Sequence, residues 1–259
     1  MQYDPIKDRI AKLINIFPPL RKGFYAALHL LLLRQRYVIR EIRDIFRDGQ
    51  KFYDAGAGFC QYSDFILRHY PSGKVFATDL KTDYLRAFAQ TAGASFSYLS
   101  ADLQHFVPKG SYDLAIAIDI LEHIEDDVQA LANIHQALKP GAKLIISTPS
   151  DTDEAAKFTQ EHVRPGYSKS ELEAKLLHCG FELQKSIYTY GRFGALSWKL
   201  MMKIPLLLLA KSPVLALVLP FWYLIAYPIS ELLMQLDMRV SNTTGTGILI
   251  VAAKSIDNE

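Results

Sequence analysis

The sequence predicts an α/β fold in which a mostly parallel sheet of seven strands carries helices on both faces. Between residues 51 and 190, short apolar runs alternate with amphipathic segments, as in repeated strand–helix–strand units. Two additions flank this core: an N-terminal helical arm, and an apolar helical insertion between the last two strands. With 259 residues, 50% of them hydrophobic, the chain is long and apolar enough to bury a large core.

The arm covers residues 1–50, where apolar positions recur at three- and four-residue spacing and Pro18 with Pro19 separates a short helix from a longer one. It holds ten Lys or Arg against five Asp or Glu. Three interpretations stay open: a cap with a solvated face, contact with an anionic membrane surface, and a lid over the functional site. Because the first residues lack the apolar region of a secretory signal, we expect a cytoplasmic protein.

The core covers residues 51–191, and residues 244–259 add its final strand and a tail. Strands are predicted at 51–57, 74–80, 96–102, 112–119, 143–149, 181–190 and 247–254. Helices are predicted at about 60–70, 82–92, 124–138 and 169–179. Ser168 and Glu171 stand at capping-box spacing ahead of the last helix, and Gly180 stands where a C-cap glycine belongs.

The insertion covers residues 192–243 and includes nineteen uncharged residues from Ser212 to Ser230. A single membrane crossing is excluded if the flanking strands are neighbours in one sheet, and lysines and prolines disfavour two crossings. A buried substrate cap and a monotopic element in the membrane interface remain. Aromatic residues beside lysines slightly favour the monotopic element. Such an element would place the protein peripherally on the inner face of the membrane.

A glycine turn follows the first predicted strand, in Asp54-Ala-Gly56-Ala-Gly58. Glycine lets the backbone turn tightly and lets a ligand approach without a side-chain clash. About twenty residues later, Asp79 ends the next strand, where a carboxylate can accept hydrogen bonds from both ribose hydroxyls of an adenosine. The two features together predict an adenosine-containing ligand, and they suit NAD as well.

Three features favour a cationic adenosine ligand over a dinucleotide. The third glycine of the dinucleotide fingerprint is absent, since Gln61 stands after Cys60. Asp54 would repel a pyrophosphate but would attract a positive charge. Asp102 closes the third strand with a carboxylate able to bind an adenine amino group. These features favour S-adenosylmethionine, and an NAD-dependent oxidoreductase is the alternative.

These motifs resemble those of the class I S-adenosylmethionine-dependent methyltransferases. The similar segments are DAGAG, VFATDL, SADL, YDLAIAIDILEHIED and LKPGAKLIISTP. The resemblance implies a Rossmann-like seven-stranded sheet ending in an antiparallel hairpin, and S-adenosylmethionine as cofactor. It implies a cofactor site formed by Asp54, Gly56, Gly58, Asp79, Leu80, Asp102, Leu103 and Asp119. Cys60 departs from the family pattern, which has a glycine at this position.

The stretch Asp119-Ile-Leu-Glu122-His123 is similar to one in ubiquinone-biosynthesis O-methyltransferases, where an acidic residue, a glutamate and a histidine are associated with a divalent metal. Their spacing places all three on one side of a first helical turn. The alternative is a pair of acids facing a helix dipole and a histidine packed against the sheet. We assign no metal site.

Transfer of a methyl group to a hydroxyl is helped by a base, because a phenol with a pKa of about 10 is mostly protonated at neutral pH. The candidates are His123 and His162, the latter in a segment resembling the EHVR of quinone and lipid methyltransferases, and Tyr167 is a candidate contact to the acceptor. A structural histidine is the alternative for either position.

Other classes of function are less consistent with the sequence. Cys60 and Cys179 are far apart and lack metal-ligand spacing, so a disulfide framework or a zinc site is unsupported. A net charge of +2 and the absence of a basic, aromatic groove disfavour a nucleic-acid partner. We therefore expect a hydrophobic small-molecule acceptor such as a quinone precursor, a phenol or a lipid. A catalytically silent scaffold that keeps the cofactor fold is a further alternative.

Overall fold

The computed structural model describes residues 18–152 and 163–256. Seven strands form one sheet in the order β3-β2-β1-β4-β5-β7-β6, which confirms the predicted fold. The strands are β1 (Lys51–Ala55), β2 (Lys74–Asp79), β3 (Phe96–Ser100), β4 (Tyr112–Ile118), β5 (Leu138–Pro149), β6 (Phe181–Thr189) and β7 (Gly247–Lys254).

The first five strands are parallel, and β7 lies antiparallel between β5 and β6. From β1 the chain moves outward to β2 and β3 and then returns to β4 on the other side of β1. In open α/β sheets, ligands bind at the carboxyl ends of the strands where the order reverses in this way. The topology therefore places the expected site beyond the ends of β1 and β4.

Helices cover both faces of the sheet. The described helices are α1 (Pro18–Leu31), α2 (Leu33–Ile45), α3 (Gln61–His69), α4 (Thr82–Ala92), α5 (Asp127–Ala137), α6 (Lys169–His178), α7 (Arg192–Trp198), α8 (Ile204–Lys211) and α9 (Leu219–Arg239). One apolar cluster joins the arm, α3 and α4 to the sheet, and a second joins α5 and α6 to the opposite face. Ser168 caps α6 as predicted, since its Oγ accepts a hydrogen bond from Glu171 N at 3.2 Å.

The clearest differences from the sequence prediction are in β5 and in the arm. Strand β5 begins at Leu138, five residues before the predicted start at residue 143. Its pairing with β4 shifts register there, because Tyr112 pairs with Leu138 whereas Leu114 pairs with Lys143. The longer arm helix is divided at Leu32, whose backbone is extended (φ −107°, ψ 109°). The helix predicted ahead of Pro18 lies outside the described residues.

The insertion folds into two antiparallel helical limbs, here called the apolar hairpin (residues 192–239). The outgoing limb contains α7, a π-helical turn (Lys199–Lys203) and α8, and the returning limb is α9. By length and composition alone, Arg192–Lys211 and Val214–Arg239 could each cross a membrane. Trp222 Nε1 donates to Leu200 O at 2.9 Å and Tyr223 Oη donates to Met201 O at 3.0 Å, so the limbs are joined at this level.

The base of the hairpin is attached to the arm. Arg36 on α2 forms two hydrogen bonds, of 2.8 and 2.7 Å, with the carboxylate of Glu231 on α9. Tyr37 Oη is 2.8 Å from Asp237 O and 3.0 Å from Asp237 Oδ2, and Gly194 N donates to Asp237 Oδ1 at 2.9 Å. The arm is therefore held between the hairpin and the sheet.

Candidate active site

A cavity of about 510 Å³ lies at the carboxyl ends of β1, β2 and β4. This volume is within the range of roughly 300–1,000 Å³ that small-molecule sites occupy. The lining is mostly apolar with a few polar groups, and it consists of Leu28, Leu32, Arg34, Gln35, Asp54, Gly56, Ala57, Gly58, Phe59, Gln61, Tyr62, Asp79, Leu80, Lys81, Ile118, Asp119, Ile120 and His123. The topology and the cavity thus identify the same location.

The glycine turn forms one wall of the cavity. Gly56 has φ +75°, and a Cβ atom there would lie 2.5 Å from Ile120 Cγ1, so only glycine fits. Gly58 has φ +50° and nothing within 4 Å of an added Cβ, which leaves its backbone accessible to a ligand. Cys60, at the family's glycine position, is itself left-handed with φ 62°. Cys60 therefore adopts the left-handed backbone conformation that a glycine at this position would favour.

Asp79 closes the turn from the second strand. Its Oδ2 accepts a hydrogen bond from Gly58 N at 2.9 Å, and its Oδ1 accepts one from Lys81 N at 2.9 Å. These bonds hold the carboxylate at the edge of the cavity, pointing toward the glycine turn. Each carboxylate oxygen has further lone pairs, so the group can still accept hydrogen bonds from a bound hydroxyl.

Asp54 lies behind the turn and is 2% exposed. Burial raises the pKa of its carboxyl to about 7, against a lowering effect of the Ser63 hydroxyl, which donates to Asp54 Oδ2 at 2.6 Å. The nearby charge of Asp79 also raises this pKa. An acid held near neutrality beside a cavity changes its proton occupancy when a cation binds next to it.

Arg34 reaches the cavity from the arm and forms an ion pair with Asp119. Asp119 stands at the exit of β4 with φ 50°, a strained conformation for a residue other than glycine. Its Oδ1 is buried and has no hydrogen-bond partner within the described part of the chain. The pair thus places one cation at the cavity, beside a buried carboxylate oxygen that has no described partner.

His123 lines the cavity, but Glu122 does not. The Glu122 side chain turns into the interior, where it is 1% exposed and its Oε2 accepts a hydrogen bond from Thr148 Oγ1 at 3.1 Å. Burial raises the pKa of this carboxyl. Among residues 18–152 and 163–256, no three His, Cys, Asp or Glu side chains are close enough to hold a metal ion.

Seven of the predicted site residues meet at this cavity: Asp54, Gly56, Gly58, Asp79, Leu80, Asp119 and His123. Asp102 is not among the lining residues, and its carboxylate accepts hydrogen bonds from Gln104 and is 3.1 Å from His105 Nδ1. Leu103 is buried in the second apolar cluster. His162 lies outside the described residues.

Tyr167 lies in the interior, away from the cavity lining. It is fully buried, and its hydroxyl donates to Asp127 Oδ2 at 2.6 Å. Arg164 and Lys175 pair with the same carboxylate, at 3.0 and 2.7 Å. Burial raises the pKa of the phenol. These contacts brace α5 against α6 and the segment before it, which is a structural role.

Four arm residues line the cavity that sequence reasoning did not assign: Leu28, Leu32, Arg34 and Gln35. Of the three interpretations of the arm, this placement favours a lid over the site. The leucine run and the basic residues of the arm do not by themselves predict this position over the cavity, because Arg34 and Asp119 are brought together only by the tertiary fold.

Comparison with known proteins identifies a methyltransferase domain in this chain. Residues 53–146 match a family model described as a methyltransferase domain. The chain is 26% identical, over 142 residues, to a ubiquinone biosynthesis O-methyltransferase of Rickettsia prowazekii (strain Madrid E), covering 53% of this chain and 56% of the relative. It is 22% identical, over 116 residues, to a trans-aconitate 2-methyltransferase of Rhodopseudomonas palustris (strain BisB18), covering 45% of each. The chain thus spans about half the length of these relatives.

Solved structures share the fold. A phosphoethanolamine N-methyltransferase 2 of Haemonchus contortus, in complex with S-adenosyl-L-methionine, superposes with a TM-score of 0.60 at 19% identity, covering 86% of this chain and 52% of that one. An S-adenosylmethionine-dependent methyltransferase of Mesorhizobium loti gives 0.52 at 20% identity, covering 83% and 96%. Residues 53–146 thus match a methyltransferase domain, and the strand order and the glycine turn are those that the resemblance to class I S-adenosylmethionine-dependent methyltransferases leads us to expect.

Proposed function

We propose that this chain transfers a methyl group from S-adenosylmethionine to a hydroxyl or carbon atom of a hydrophobic small molecule. The observation that carries the proposal is the single cavity in which the glycine turn, Asp79, Asp54, Arg34 and His123 meet. S-adenosylmethionine supplies an electrophilic methyl group on a sulfonium, and the protein's contribution is to hold the two reactants in line.

The residues present fit this cofactor. Gly58 leaves open space beside its backbone, and Asp79 can accept hydrogen bonds from the ribose hydroxyls. Asp54 suits the ammonium group of the methionine portion. Arg34 is the one arginine that lines the cavity within the described residues, so it suits the carboxylate of the same portion. A pyrophosphate would instead meet Asp54 and Asp79, which argues against NAD.

The acceptor side of the cavity supports an apolar substrate. Leucine and isoleucine side chains from the arm and from the end of β4 form much of the wall, among them Leu28, Leu32 and Ile120. Such a wall desolvates an aromatic or aliphatic acceptor and excludes water from the reacting atoms. The names of the relatives, one acting in ubiquinone biosynthesis, are consistent with a quinone precursor as one such acceptor.

His123 lines the same cavity and carries a side chain that can accept a proton. We propose that its imidazole accepts the proton of the acceptor hydroxyl as the acceptor oxygen attacks the methyl group. Loss of a general base typically slows a reaction by about 10²–10⁴-fold. His123→Gln should therefore lower the turnover rate while leaving the Kd for S-adenosylhomocysteine unchanged.

The test is transfer of an isotope-labelled methyl group from S-adenosylmethionine into a hydrophobic cell extract, followed by mass spectrometry of the labelled product. His178→Gln is the matched control, because His178 is exposed at the end of α6 and does not line the cavity. We expect labelled product with wild type and with the control variant, and much less with His123→Gln. A chain that binds S-adenosylhomocysteine but labels nothing would be a silent scaffold instead.

A further inference from the structure

We propose that the tip of the apolar hairpin, residues 206–225, docks into the interface of an anionic lipid leaflet. Of the described side chains in this range, none is buried. Leu217, Phe221 and Leu224 are 75%, 72% and 76% exposed. Monomeric soluble proteins rarely leave a contiguous apolar surface of this kind uncovered, and such surfaces mark membrane or protein contacts.

Nothing in the described chain covers this surface. The limbs brace each other through Trp222 and Tyr223, and Glu231 and Asp237 at the base are bound to the arm, so the tip is held away from the sheet. None of the described hairpin residues lines the active-site cavity. The tip is therefore a preformed surface that needs a partner from outside.

The charges around the tip identify the partner. Lys199, Lys203 and Lys211 on the outgoing limb are exposed, and residues 192–230 contain no acidic residue. Anionic phospholipid headgroups complement these lysines. Each lysine near the membrane surface strengthens partitioning onto the vesicle about fivefold. A second copy of the hairpin would bring lysines against lysines, which disfavours a dimer through the same face.

The lysines also define how the hairpin meets the leaflet. Lys199 and Lys203 are one π-helical turn apart, and Lys211 follows about two α-helical turns later, so the ammonium groups lie along one side of the limb. A spanning limb would place Lys203 near the middle of the hydrocarbon, where a charged side chain is costly. A limb lying along the surface keeps the lysines at the headgroups while the apolar side contacts acyl chains.

Flotation of the full chain with vesicles tests this proposal. One set of vesicles is pure phosphatidylcholine and the other contains one third phosphatidylglycerol. We expect wild type to float with the anionic vesicles, and the double variant Phe221→Glu, Leu224→Glu to lose at least tenfold in partitioning. The matched control is Leu177→Glu, since Leu177 is 57% exposed on α6, outside the hairpin. Lys199→Glu with Lys203→Glu should lose the preference for anionic vesicles.

Three results would overturn the proposal: wild type that stays unbound to both vesicle types, equal binding to neutral and anionic vesicles, and a lipid-free dimer that the Phe221 and Leu224 changes abolish. Circular dichroism and S-adenosylhomocysteine binding show whether each variant is folded. Flotation requires no turnover, so a negative result here leaves the proposed methyl transfer unaffected, and a failed methyl-transfer assay leaves the membrane proposal unaffected.

Discussion

Replacement of Asp79 by asparagine tests the cofactor site through one atom. In the structure the two carboxylate oxygens accept separate hydrogen bonds, from Gly58 N and Lys81 N, both at 2.9 Å. An asparagine keeps the shape but turns one acceptor into an amide NH₂, so one backbone N–H faces a donor. The same change removes the negative charge and one acceptor that the ribose hydroxyls would use.

The expected loss follows from the strength of such bonds. A hydrogen bond to a charged group contributes about 1.5–3 kcal/mol. Loss of one such bond between Asp79 and the ribose weakens binding of the nucleoside about 10- to 150-fold. Loss of the bond from one of the two backbone N–H groups also lowers the melting temperature by a few degrees, at about 2–4 °C per kcal/mol for a chain of this size.

Isothermal titration with S-adenosylhomocysteine measures this loss. The matched control is Asp83→Asn, an exposed aspartate in the first turn of α4, which should bind like wild type. If Asp79→Asn binds within twofold of wild type while remaining folded, then Asp79 does not hold the ribose and the assignment of the cavity is wrong.

The other predictions concern pH, packing and a candidate catalytic residue. The pKa of Asp54 is about 7 in the folded chain against 3.8 for the free side chain, so the unfolded chain ionises first. The contribution of Asp54 to the free energy of unfolding therefore falls as pH rises from about 4 to 7. In denaturation curves measured across this pH range, the free energy of unfolding of Asp54→Asn should change less with pH than that of wild type. Gly56→Ala should cost about 2–4 kcal/mol in the same assay, because backbone strain adds to a clash with Ile120. Gly49→Ala, with φ +83° but open space, should lose only the strain of about 1–2 kcal/mol, and equal losses would exclude the clash. Tyr167→Phe should lower the free energy of unfolding by about 1–3 kcal/mol and leave kcat unchanged. A large drop in kcat would show instead that Tyr167 takes part in catalysis.

The sheet was predictable because its signal is local. Each buried strand is a short run of apolar residues bounded by polar or glycine positions, and the parallel strand β4 and the antiparallel strand β7 are clear examples. The early start of β5 at Leu138 was not predictable, since Lys139 to Gly141 read as a polar loop after a helix. Pairing with Tyr112 of β4 extends the strand there in spite of its composition.

The site was predictable only where its residues follow strands. The glycine turn, Asp79 and Asp119 each stand at the end of a strand, and parallel strands bring those ends together. Asp102 follows β3 by two residues, but neighbouring Gln104 and His105 contact its carboxylate. Arg34 depends on the packing of the arm across the sheet, which no local pattern in the arm indicates.

The most direct test of the central claim is a crystal structure of the chain grown with S-adenosylhomocysteine. We expect the nucleoside in the cavity beside the glycine turn, with its ribose hydroxyls on Asp79 and its methionine-derived carboxylate near Arg34. A complex with the ligand bound elsewhere, or with the Asp79 carboxylate turned away from the ribose, would contradict this expectation.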